Sequence, residues 1–123
     1  GIRDIDPFEK EILEKNNIEY INVYEINNSP CNCLNKIENF IEDNPVHLSF
    51  DVDSIDRIYI PCTGTPSNLH GINMNAALIL FENFRYYNIV SADITELNLK
   101  IGNYKDKVLS INNTVSLLNK LII

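Results

Sequence analysis

The sequence predicts an α/β chain whose strands lie parallel and are joined by helices. Short runs rich in β-branched and aromatic residues occur at 18–23, 46–53 and 88–94. Around them lie stretches whose apolar residues recur at helical spacing. Helix and strand alternate along the whole chain, which is the pattern of a parallel sheet with right-handed crossovers.

Each element has a local reason. In GIRDIDPFEKEILEKNN, Asp6 precedes Pro7 and stands three places before Glu9. An acceptor at the N-cap, proline in the first turn and a capping-box acid predict a helix running to about Asn16. IEYINV (18–23) is predicted to be a strand. Ser29-Pro30 opens a second helix with Leu34, Ile37, Phe40 and Ile41 on its apolar face, stopped at Asn44-Pro45. VHLSFDVD (46–53) is the next strand. The stretch after it, SIDRIYIPCTGTPSNLHG, carries Pro61, Gly64, Pro66 and Gly71, which interrupt regular structure; a loop this long in a compact domain is usually functional. A third helix begins near Asn73 and presents Ala77, Leu80, Phe81 and Phe84. NIVSADI (88–94) is the last strand, and a long final helix carries Val108, Ile111, Val115, Leu118 and Ile122. Three strands make a thin sheet, and the chain starts with a helix as though a strand came before it. It reads as part of a larger sheet.

The chain has 123 residues, one domain's worth, with no internal repeat or linker. Its 17 acids against 10 bases give a net charge of -7, and no cluster of Lys and Arg offers a phosphate-binding surface. Nucleic acid is therefore not an expected partner. No apolar run is long enough to span a membrane and no signal-peptide pattern is seen, so a cytoplasmic protein is expected. Cys31, Cys33 and Cys62 lack the spacing of a zinc or redox motif and read as free thiols.

Chemistry concentrates in HLSFDVDSID (47–56). On a strand, Asp51 and Asp53 project from one face and Leu48, Phe50 and Val52 from the other. Two adjacent carboxylates repel each other when desolvated unless a cation holds both. Hard oxygen donors at a strand end suit Mg, Ca or Mn; an acidic, solvated turn is the plainer alternative. Asp56 reads as a turn or outer-shell acid, and Asp93, within a strand, requires a partner. His47 lies at the start of its strand, well short of Asp51, and reads as structural, whereas His70 reads as an exposed loop residue rather than a ligand.

The order GIRDIDPFE, SFDVDSID, TGTP and DITE resembles the second half of the arginases, in the ureohydrolase family of binuclear manganese enzymes. The resemblance covers nearly all of residues 1–123. It implies a three-layer α/β/α parallel sheet of which this chain is the C-terminal part. It implies that Asp51 and Asp53 ligate a manganese pair, and that Glu96 is the catalytic carboxylate that pairs with the guanidinium. Asp6 and Glu9 would contact the α-amino group of L-arginine, a role compatible with helix capping, and Thr65 would line the substrate cleft. The implied reaction is hydrolysis of L-arginine to L-ornithine and urea, carried out by a homotrimer. The remaining metal ligands and a proton-transfer histidine would come from an N-terminal half outside this chain, so the isolated fragment is expected to be inactive. Arg57 stands where the family usually has proline, and SNLHG replaces a glycine pair after TGTP. Agmatinase, formimidoylglutamase, or a non-catalytic assembly or regulatory subunit of the same fold are the alternatives.

Overall fold

A computed structural model describes residues 1–64 and 70–122. The elements are α1 (Pro7–Lys15), α2 (Val23–Asn28), α3 (Pro30–Ile41), β1 (Val46–Asp51), a 3-10 turn (Val52–Ser54), α4 (Met74–Phe84), β2 (Ile89–Thr95) and α5 (Tyr104–Ile122). β1 and β2 pair in parallel, as expected for an α/β chain, with Asp51 opposite Thr95.

Helix starts obey the capping chemistry. Asp6 accepts the N–H groups of Phe8 and Glu9 at 2.7 and 2.9 Å, and Glu9 accepts that of Asp6 at 3.0 Å. Asn73 caps α4 by accepting the Ala76 N–H at 2.8 Å.

The strand expected over 18–23 is instead a loop leading into α2. Only a parallel bridge between Ile2 and Asn22 survives of it. Asn22 and Glu25 form a capping box, each side chain accepting the other's backbone N–H, and this starts a helix where β-branched residues suggested extension. The signal was legible: Asn with Glu three places later. Among the described residues the sheet therefore has two strands rather than three.

The core forms between β1 and the helices. Phe50 on β1 meets Phe81 on α4 edge-on at 4.8 Å, and α4 packs against both α3 and α5. Burial alternates along β1, with Phe50 inside and His47 and Ser49 outside. β2 is exposed over most of its length. An open cleft of about 960 Å³ runs along the other edge of β1, lined there by Leu48, Ser49, Phe50 and Asp51. Gly1 and Ile2 also line it.

α5 turns a different face inward from the one expected. Ser110, Thr114 and Leu117 are buried, whereas Val108, Ile111, Val115 and Ile122 are exposed. The cause is the loop after β1, whose backbone groups need partners. Ser110 Oγ accepts the Cys62 N–H at 3.0 Å, and Asn113 Nδ2 donates to the Tyr59 carbonyl at 2.8 Å. Small polar residues are thus required where α5 crosses the loop. Leu117→Ala should cost about 2–5 kcal/mol, whereas Val115→Ala on the outer face should cost under about 0.5 kcal/mol. Urea unfolding midpoints of the two variants check this, and equal losses would restore the apolar face expected from sequence.

Candidate metal and substrate site

β1 ends because Asp51 ends it. Its Oδ1 accepts the Asp53 N–H at 3.1 Å, and Ser54 Oγ donates to the Asp51 carbonyl at 2.7 Å, folding residues 52–54 into the 3-10 turn. The face-sharing expected of Asp51 and Asp53 on one continuous strand is accordingly replaced. The two acids are adjacent because one caps the turn that bears the other. Both are half-buried.

The GIRD segment reaches this turn. Ile2 is tied to the chain near Asn22 by Ile2 N–H to Ile21 O at 3.2 Å and Val23 N–H to Ile2 O at 3.0 Å. From there the Arg3 side chain crosses over, Nη2 donating to the Asp53 carbonyl at 2.5 Å and Nη1 to the Ser54 carbonyl at 3.5 Å. The Ile72 N–H holds the Ser54 carbonyl from the other side at 2.9 Å. Arg3 was not singled out from sequence, because its partner lies 50 positions away and leaves no local pattern.

Parallel pairing carries Glu96 to the same edge of the sheet, one residue beyond the Asp51–Thr95 pair. Glu96 is exposed and adopts a left-handed conformation, φ 63°, which turns the chain out of β2. The adjoining loop returns alongside it. Gly64 N–H donates to the Glu96 carbonyl at 3.2 Å, and Asn98 N–H to the Cys62 carbonyl at 3.0 Å. A Cβ on Gly64 would overlap Glu96 Oε2, so the carboxylate rests where a side chain would otherwise stand. This is the second residue that sequence reasoning passed over; the glycine of TGTP was its only signal.

The other sequence-selected residues sort themselves around this edge. Asp6 and Glu9 are exposed and occupied with each other in the α1 cap, a short way along the chain from Arg3. Thr65 lies outside the described residues. Asp56 is buried beneath the loop. Burial pushes its pKa up, but the Ile58 N–H, His70 and the Gly71 N–H outweigh that and hold it below the ordinary value. Its Oδ1 accepts the Ile58 N–H at 3.0 Å, and its Oδ2 accepts the Gly71 N–H at 3.1 Å, making it a loop anchor. His70 reaches Asp56 Oδ2 at 3.2 Å, with a side chain 98% exposed.

Asp93 has the partners its position demanded. Ser49 Oγ donates to its Oδ1 at 2.8 Å, and His47 Nε2 lies 3.0 Å from its Oδ2; together they lower its pKa. His47 Nδ1 lies 2.8 Å from Ser91 Oγ. His47 thus bridges the two strands on the exposed face.

The donor set fits a hard divalent cation in type. Two carboxylates on a turn braced by backbone hydrogen bonds are suitable ligands for manganese or magnesium. In number they fall short, since the described residues contain no group of three or more His, Cys, Asp or Glu able to enclose an ion. Any complete shell takes ligands from beyond them.

Comparison with known proteins agrees with the order of motifs. The family described as the Arginase family matches residues 1–122. An arginase of Plasmodium berghei is 41% identical over 104 residues, covering 80% of this chain and 29% of that protein. An arginase of Plasmodium falciparum is 38% identical over 117 residues, covering 88% of this chain and 27% of that protein. The structure of Entamoeba histolytica arginase in complex with L-ornithine superposes with a TM-score of 0.87 at 27% identity, over 99% of this chain and 41% of the other. The chain thus spans less than half the length of each of these relatives. Its sequence and its fold place it in the arginase family.

Proposed function

We propose that this chain is the C-terminal portion of a single arginase-like domain, in a manganese-dependent enzyme that hydrolyses L-arginine to L-ornithine and urea. The observation that carries the reading is the alignment of two acidic strand ends: the Asp51–Asp53 turn after β1 and Glu96 after β2 emerge at one edge of a parallel sheet. Crevices at the carboxyl ends of parallel strands are the usual binding sites of open α/β sheets.

In this reading Asp51 and Asp53 are metal ligands, completed by residues from outside the chain. A bound manganese pair supplies Lewis acidity and a water activated near neutral pH. The task of Glu96 is to hold the guanidinium. A carboxylate paired with that planar cation through charge-assisted hydrogen bonds fixes the carbon to be attacked and restricts its orientation. Asp6 and Glu9 offer negative charge to the α-amino end of the substrate while capping α1. Thr65 is proposed to line the cleft. The ornithine bound to the Entamoeba arginase is the product expected of this chemistry.

Three outcomes test the proposal. In the complete protein, Asp51→Ala should abolish manganese retention and urea release, whereas His70→Ala should leave most activity. Near-normal turnover by the Asp51 variant would remove the metal role. L-arginine should be preferred over agmatine, which lacks the α-carboxylate; the reverse preference in a urea-release assay would move the enzyme to the agmatinases. Finally, Gly64→Ala should fold with stability changed by less than about 0.5 kcal/mol, because the atom it meets is the end of a flexible side chain. Its kcat/KM for L-arginine should fall by about 100-fold through displacement of Glu96. Unchanged kinetics would show that Glu96 does not work from this seat.

A further inference from the structure

We infer that Arg3 is a positioning residue for the Asp51–Asp53 turn, holding the backbone that carries the ligands while touching neither substrate nor metal. The inference rests on the metal reading above and adds a residue to it.

The turn has constraints of two kinds. Within it, Asp51 accepts the Asp53 N–H, Ser54 donates to the Asp51 carbonyl, and the Ile55 N–H donates to the Val52 carbonyl at 3.2 Å. These bonds fix its shape and leave open its placement relative to the rest of the fold. Placement comes from outside. Ile72 holds the Ser54 carbonyl, and Arg3 holds the carbonyls of Asp53 and Ser54. Arg3 is a suitable brace because its own backbone neighbour, Ile2, is fastened to Ile21 and Val23. A guanidinium also presents several donors in one rigid plane, which a lysine cannot.

Two features argue for this over simple packing. Arg3 is half-buried, and its Nε is shielded from solvent without an acceptor among the described residues. A buried donor of a charged group left without an acceptor is costly, so an arginine kept only to fill space would be replaced at a gain by an apolar residue. Moreover, the donors that do find partners converge on carbonyls of the acidic turn.

Charge and placement act in opposite directions on a metal, and this makes the idea testable. A cation beside a cation site weakens binding; a brace that preorganises ligands strengthens it. Removing an outer-shell support typically costs about 10–100-fold in metal affinity.

The experiment is a Mn²⁺ titration of the complete protein, in which the remaining ligands are present, monitored by the electron paramagnetic resonance signal of the free ion, with thermal unfolding in parallel. Wild type would be compared with Arg3→Met, Arg3→Lys and Asp51→Asn. The expected result is at least about tenfold weaker binding in Arg3→Met and weaker binding in Arg3→Lys, at temperatures where each variant is folded. Equal or tighter binding in Arg3→Met, with Asp51→Asn impaired, would overturn the positioning role and leave the metal reading intact. Should Arg3→Met not fold, Arg3→Lys decides, since unchanged affinity with a single ammonium would overturn the need for the fork. Equal binding by wild type and Asp51→Asn would overturn the metal reading and, with it, this inference.

Discussion

Parallel pairing of β1 with β2 is the constraint on which the arrangement depends. In an antiparallel pair the carboxyl ends of consecutive strands lie at opposite edges; in a parallel pair they coincide. Here the register sets Asp51 across from Thr95, so that the residues leaving one strand meet those leaving the other. One strand ends in a capped 3-10 turn and the other in the left-handed residue Glu96. The first departure from extended backbone follows a carboxylate that caps it, and the second occurs at one. The sheet delivers the acids, and their own local geometry ends the strands that deliver them.

Much of this was legible before any coordinates. Asp6 with Pro7 and Glu9, Asn73 ahead of an apolar helix, and Ser29-Pro30 are start signals whose chemistry is local, and each opens a helix near the expected residue. The acidic motif was legible because Asp51 and Asp53 follow directly on the hydrophobic strand pattern of VHLSF. IEYINV misled because β-branched composition outweighed a capping box in the reading, while in the protein the capping box prevails. The inner face of α5 was misassigned for another reason. Periodicity identifies apolar stripes, but the partner of α5 is in part a loop with carbonyl and N–H groups to satisfy, and a serine and an asparagine meet that need better than valine. Arg3, and Gly64 as the seat of the Glu96 carboxylate, were not legible because their significance is in contacts with distant residues.

The sheet also explains the exposure. β1 is covered by α4 on one face only, and β2 shows Val90 at 65% and Ile94 at 43% exposure. Surfaces of that kind are the inner faces of a layered fold. The cleft beside β1 is bordered by consecutive residues of the strand rather than alternate ones, so it runs along an edge and not a face. An exposed edge presents unpaired backbone groups. The matched arginases are more than twice the length of this chain.

The seat of the Glu96 carboxylate over Gly64 has a consequence for how this protein can change over generations. Positions 64 and 96 are far apart in sequence, yet a side chain added at 64 meets the carboxylate of residue 96. A larger residue at 64 would be harmless wherever residue 96 is small and would obstruct wherever it is glutamate. The effect of a mutation at 64 therefore depends on the residue at 96, which is epistasis set by a single steric overlap. A lineage in which residue 96 became small would be free to carry a side chain at 64, and a lineage that kept the glutamate would be held to glycine there.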